Sequence, residues 1–142
     1  MIIVLFGQPC SGKSTIAKEL GIHNIDGDRL RDLFANKDYS REGRMRNLNR
    51  ASDIVHYLNS TWIEDAKIVL SLVYPYKEAR DYLNSLTQDI KWIYLTYEGK
   101  RGRENFHVED FQQPNEEKVL HLNTSTLSVE ECVNRIKKYI NE

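Results

Sequence analysis

Residues 2–14 constrain this chain more than any other stretch. The apolar run Ile2-Ile3-Val4-Leu5-Phe6 passes straight into Gly7-Gln8-Pro9-Cys10-Ser11-Gly12-Lys13-Ser14. Two glycines at this separation, followed by Lys and Ser, form the pattern of a phosphate-binding loop. That pattern needs a buried strand before it and a helix after it, and Ser14-Thr15-Ile16-Ala17-Lys18-Glu19-Leu20 reads as the helix. The glycines let backbone N–H groups turn inward around a polyphosphate. Lys13 supplies a point charge to the outer phosphates, and the Ser14 hydroxyl suits Mg²⁺. Gly7, Gln8, Pro9, Cys10, Ser11, Gly12, Lys13, Ser14 and Thr15 are therefore expected to hold a nucleoside triphosphate.

Beyond the loop, strands and helices alternate with no repeat and no low-complexity stretch. The strands are expected near Ile2–Phe6, His23–Ile25, Lys67–Val73, Ile90–Leu95 and Val119–Leu122. The run Lys67-Ile68-Val69-Leu70-Ser71-Leu72-Val73 is apolar nearly throughout, as in a sheet covered on both faces. Helices are expected at Lys13–Leu20, stopped by Gly21, then at Arg29–Phe34 and at Tyr76–Leu86 behind Pro75. Ser40 caps a long helix whose buried stripe is Leu48, Ala51, Val55 and Leu58. Ser128 and Glu131 form a capping box for a last helix with Val129, Val133, Ile136 and Ile140 as its stripe. Strands spaced by helices imply the α/β class, with a parallel five-stranded sheet carrying helices on both faces. This is the fold of P-loop nucleoside triphosphate hydrolases and kinases. The chain has 142 residues, the size of one domain, so 1–142 is read as one unit with a short lid segment around 97–111.

Composition removes several functions. A net charge of -1 argues against holding nucleic acid mainly through its phosphates. Neither an apolar stretch of about twenty residues nor a basic-then-apolar leader is present, so no membrane partner and a cytoplasmic location are expected. Cys10 and Cys132 have no metal-ligand spacing and are expected as reduced thiols.

Ligands of such a sheet sit beyond the carboxyl ends of its strands, where three more clusters fall. Asp26-Gly27-Asp28 is followed by Arg31. These carboxylates either cap a helix in an Asx turn or serve nucleotide-bound Mg²⁺ and a hydroxyl nucleophile. Arg44, Asn47 and Arg50 lie three apart on the long helix, and Arg44 with Asn47, near Arg31, suits a planar fork onto a second anionic group. Gly99-Lys100-Arg101-Gly102-Arg103 is either an exposed charged loop or a basic cover over phosphates.

The order of these pieces resembles adenylylsulfate kinase (APS kinase), a family of small P-loop kinases that phosphorylate the 3'-hydroxyl of adenosine 5'-phosphosulfate. Asp26-Gly27-Asp28-Arg29-Leu30-Arg31 is similar to the family's Asp-Gly-Asp-x-x-Arg, and Tyr39-Ser40 with Arg44 and Asn47 to its Phe-Ser-x-x-x-Arg-x-x-Asn. Val73-Tyr74-Pro75-Tyr76 resembles its Ile-Ser-Pro-Tyr, and Phe106-His107-Val108-Glu109 stands where it has Phe-Thr-Gly-Ile. Thr124-Ser125-Thr126-Leu127-Ser128-Val129-Glu130-Glu131 matches its tail.

The resemblance implies ATP and Mg²⁺ as cofactors and a small-molecule acceptor, adenosine 5'-phosphosulfate. Lys13, Asp28 and Arg101 would be catalytic, Asp28 by orienting or deprotonating the hydroxyl and Arg101 (or Arg103) by meeting the transferring group. Ser14 and Asp26 would place the metal. Arg31, Arg44 and Asn47 would hold the phosphosulfate and ribose, Tyr39 and Phe106 would clasp the adenine, and Val73 and Tyr74 would line the acceptor pocket with backbone contacts. A homodimer is compatible with the sequence.

The chain departs from the family in its lid, where Tyr97–Arg103 lacks the Arg-Asp-x-Lys-Gly-Leu-Tyr motif. Two other readings therefore stand beside the first. One is a P-loop kinase acting on another nucleoside or nucleic-acid hydroxyl. The other is a non-catalytic nucleotide-binding module, against which the intact Lys13, Ser14, Asp26 and Asp28 argue.

Overall fold

The N-terminal apolar run becomes β1 (Ile2–Phe6), the middle strand of a parallel sheet, with all its residues buried. The computed structural model describes residues 1–99, 107–115 and 118–142. After β1 come α1 (Lys13–Leu20), β2 (Asn24–Asp26), α2 (Gly27–Leu33), α3 (Arg41–Thr61) and β3 (Ile68–Leu72). Then follow α4 (Lys77–Leu86), β4 (Ile90–Thr96), β5 (Val119–Asn123) and α5 (Val129–Ile140). Among the described residues the sheet has five strands in the order β2-β3-β1-β4-β5, every pair parallel.

Alternation along the strands builds two cores, one on each face of the sheet. Ile2, Val4, Phe6, Leu70 and Leu72 meet Leu48, Ala51 and Val55 of α3 and Ala79 and Leu83 of α4. Ile3, Leu5, Val69, Ile93 and Leu95 meet Ile16 and Leu20 of α1 and Cys132, Val133 and Ile136 of α5. The expected α/β sheet with helices on both faces is what the chain forms.

Local chemistry moves some boundaries. α2 begins at Gly27 rather than Arg29, because the Asp26 carboxylate accepts the Asp28 N–H at 2.8 Å and so starts the helix earlier. Gly27 is needed there, since a Cβ would stand 2.6 Å from Cβ of Leu72. The Ser128–Glu131 capping box is present, with bonds of 3.1 and 3.2 Å. Val129, however, is 40 % exposed, and the buried stripe of α5 is Cys132, Val133, Ile136 and Ile140. Position 129 opens the first turn, one step short of the face that meets the sheet. Among the described residues no helix is long and apolar enough to cross a membrane.

Candidate functional site

The loop after β1 is built by backbone conformations that few residues tolerate. Gly7 has φ 151° and Gly12 φ 99°, and Cys10 itself lies in the left-handed region at φ 71°. A Cβ on Gly7 would sit 2.2 Å from the Leu95 carbonyl oxygen, so β4 leaves room only for glycine. Lys13 folds back over the loop, and its Nζ donates to the carbonyls of Gly7 and Gln8, both at 2.9 Å, and to Ser11 Oγ at 3.2 Å. Thr124, in the turn after β5, supports the loop from behind. Its hydroxyl lies 2.9 Å from the carbonyls of both Ser11 and Thr96.

A cleft of about 1130 Å³ opens in front of this loop, beyond the carboxyl ends of β1, β2 and β3. Pro9, Cys10, Gly12, Lys13, Ser14 and Thr15 line one side. Gly7, Gln8 and Ser11 stand behind that surface and shape it. The other side carries Asp26, Asp28, Arg31, Tyr39, Arg44 and Asn47, and Val73 and Pro75 close one wall. The topology thus gathers the sequence-predicted donor and acceptor residues into one cavity. Arg101, Arg103 and Phe106 lie outside the described residues.

The polar groups around the cleft differ in how far the protein already uses them. Asp26 caps α2 through one oxygen, which fulfils the Asx-turn expectation, yet it still faces the cleft. Arg31 is buried and staples the α2–α3 loop. Its Nη1 donates to Asn36 Oδ1 and to the carbonyls of Asn36 and Asp38, at 3.3, 3.3 and 3.0 Å. Its guanidinium also lies 4.3 Å from the Tyr39 ring centroid, so one face of Tyr39 is covered by a cation. Hydrogen bonds from the Ser40 hydroxyl and N–H hold the Asp38 carboxyl below its usual value, which fixes the same loop.

Arg44 and Asn47 are different. The Arg44 guanidinium is half-buried and has no hydrogen bond or ion pair among the described residues. Asn47 is 5 % exposed; its Nδ2 donates to the Gly27 carbonyl at 3.3 Å, while its Oδ1 is buried without a partner. A buried acceptor left unpaired is costly, and such groups gather where a ligand completes them. Arg50, on the same helix, does not join them, because it stacks over Phe34 at 4.7 Å.

The structure does not bring Tyr74, expected to line the pocket through its backbone, to the cleft surface. Its backbone sits at φ 50° and swings the ring into the core, where it is fully buried, edge-on to Trp92 and hydrogen-bonded to the Ser52 hydroxyl. Burial raises its phenol pKa. Its carbonyl is taken as well, by Arg80 Nη1 at 2.8 Å, so Val73 and Pro75 line the cleft without it. Sequence reasoning missed His107 and Val108, which line the cleft, and the supporting role of Thr124. The Phe106-His107-Val108-Glu109 segment was the signal for the first two.

With this geometry in place, comparison with known proteins is informative. An APS kinase of Mycobacterium tuberculosis, solved with AMPPNP and APS, is 20 % identical with a TM-score of 0.81, covering 99 % of this chain and 97 % of that one. An unliganded sugar kinase from Janibacter sp. HTCC2649 is 14 % identical with a TM-score of 0.74, covering 99 % and 94 %. A gluconokinase from Sinorhizobium meliloti is 15 % identical with a TM-score of 0.69, covering 98 % and 90 %. At such identities these likenesses establish the P-loop kinase fold. The sequence adds what the fold alone cannot, for the adenylylsulphate kinase family model matches residues 1–100. That span holds the phosphate loop, the Asp26–Arg31 turn, the Arg44/Asn47 face and the Val73–Tyr76 corner, and through it the chain belongs to the adenylylsulphate kinase family.

Proposed function

We propose that the protein transfers the γ-phosphoryl group of ATP to the 3'-hydroxyl of adenosine 5'-phosphosulfate, giving 3'-phosphoadenosine 5'-phosphosulfate. One observation carries this reading: Arg44, whose guanidinium has no hydrogen bond or ion pair among the described residues, and Asn47, whose buried Oδ1 has no partner there, line one cleft with the phosphate loop. Arg44 fits a bidentate anion such as a phosphosulfate, and Asn47 Oδ1 fits a ribose hydroxyl as donor. Exposed Asp28 lies on the same side, where it would accept the proton of the attacking hydroxyl.

The donor side fits ATP, with loop N–H groups and Lys13 for the phosphates. Ser14 and Asp26 would hold Mg²⁺. Both line the cleft, a hydroxyl and a carboxylate of the oxygen-donor kind that suits a Mg²⁺ held mainly by nucleotide phosphates and water. When bound, Mg²⁺ would neutralise charge on the β and γ oxygens. Lys13 would stabilise the same charge from the protein, and Arg31 would keep the Asn36–Tyr39 loop against the acceptor.

The test is a panel assay of ATP with adenosine 5'-phosphosulfate, nucleosides, sugars and oligonucleotides bearing free hydroxyls, each product separated by chromatography. The reading expects adenosine 5'-phosphosulfate to be the preferred acceptor. Product from another acceptor, with none from adenosine 5'-phosphosulfate, would refute the assignment and leave the donor site standing.

A further inference from the structure

Gln8 is the second residue of the phosphate loop, yet its side chain reaches a segment remote in sequence. Its Nε2 donates to the Val108 carbonyl at 2.7 Å, and its Oε1 accepts the Val108 N–H at 2.9 Å. One side-chain amide thus pairs with both backbone groups of one residue, as a neighbouring strand would. Beside it, His107 Nε2 donates to the Pro9 carbonyl at 3.2 Å. His107 and Val108 both line the cleft, and Val108 is 5 % exposed.

The segment is also fixed at its other end. Gln112 N–H donates to the Pro75 carbonyl at 2.8 Å, and its own carbonyl accepts from Arg80 Nη2 at 2.8 Å. Its Oε1 accepts the Lys77 N–H at 2.7 Å, and the neighbouring Phe111 ring stacks on Tyr94. Residues 107–112 therefore form a strap from the phosphate loop to the Val73–Pro75 wall. The Gln8 carbonyl meanwhile accepts from Lys13 Nζ, the ammonium expected to meet the phosphates.

We propose that Gln8 is a positioning residue: it locks the strap to the phosphate loop, so that a nucleoside triphosphate held there also orders the cleft wall at His107 and Val108. The acceptor side of this inference rests on the phosphotransferase reading above; the link between loop and strap does not. Because such coupling is reciprocal, an acceptor touching the strap would tighten the nucleotide by the same factor.

Backbone amide exchange followed by NMR tests the link with no acceptor present, using Mg²⁺ and AMPPNP as the probe. In the wild type, AMPPNP should slow exchange at Val108 roughly tenfold, along with the loop amides. In Gln8→Met the Val108 amide should exchange at the same rate with and without AMPPNP. Gln8→Glu keeps an acceptor for the Val108 N–H and loses only the donor, so it should show intermediate protection, and it serves if Gln8→Met does not fold. At saturating ATP, Gln8→Met should raise the acceptor KM roughly five- to thirtyfold with kcat changed far less. A wild-type Val108 amide indifferent to AMPPNP would overturn the proposal. So would nucleotide-dependent protection surviving in Gln8→Met, wild-type protection in Gln8→Glu, or a loss confined to kcat. If adenosine 5'-phosphosulfate proves not to be the acceptor, the exchange measurements still decide the matter.

Discussion

Replacing Asn47 by Leu should separate stability from function. The side chain is 5 % exposed, donates one long bond of 3.3 Å to the Gly27 carbonyl, and buries an unpaired Oδ1. Leu has the same branching at Cγ, so the packing around α3 changes little. The substitution gives up one neutral hydrogen bond, about 1 kcal/mol, and removes a buried acceptor whose desolvation costs about 1–3 kcal/mol. The net expectation is between zero and about 2 kcal/mol of added stability, or a Tm higher by roughly 0–6 °C for a domain of this size. The acceptor loses the oxygen that would receive its hydroxyl, which should raise its KM roughly five- to a hundredfold at saturating ATP. Thermal unfolding and initial rates on one preparation measure both. A Tm lower by more than about 5 °C would show that Asn47 is a satisfied structural group. An acceptor KM within about twofold of wild type would show that no ligand meets Oδ1.

Lys13→Ala should cut phosphoryl transfer by roughly a thousandfold or more, measured as product formed at saturating ATP, because a cation at the transferring group is lost. Its Tm should fall modestly, since Nζ also holds the Gly7 and Gln8 carbonyls. Arg44→Lys keeps the charge but cannot make two parallel bonds, so the acceptor KM should rise roughly tenfold while the ATP KM stays nearly constant. Hydrogen bonds from the Ser128 backbone and side chain hold the Glu131 carboxyl below its usual value, and Ser40 does the same for Asp38. A carboxyl depressed in the folded state adds stability above its unfolded pKa and loses it as pH falls through the folded one. Glu131→Gln and Asp38→Asn should therefore each flatten the acid side of the Tm–pH curve, read between about pH 5 and pH 3.

The fold was legible because its signals are local and redundant. β1 is a short apolar run ended by Gly7 and β3 one opened after Lys67, and Ser40 and Ser128 cap their helices where their hydroxyls predict. Val129 was misplaced because a stripe extended by spacing alone takes no account of where the sheet ends. Tyr74 was placed at the cleft by the resemblance of Val73-Tyr74-Pro75-Tyr76 to the family's Ile-Ser-Pro-Tyr; where the family has a small Ser this chain has a large ring, and at φ 50° that ring goes into the core. Of the site, residues gathered by strand ends were readable, since topology brings all those ends to one side. Gln8 and Val108 were not readable as a pair, because nothing in a sequence marks an amide that will bond a backbone so distant along the chain.

The strand order also sets a timetable for synthesis. β1 finds its first partner only when Ile68 pairs with Ile2, and its second when Ile90 arrives on the opposite edge. Until then an emerging chain carries Ile-Ile-Val-Leu-Phe with both edges open, the kind of uncharged, strongly β-forming run that stacks on copies of itself. Pro9 follows shortly, a residue without an N–H to donate, so a misregistered strand is interrupted there. The loop that shapes the phosphate site thereby also guards the nascent polypeptide, and replacing Pro9 by a β-branched residue should lower soluble yield while leaving the strand pairing of the finished sheet intact.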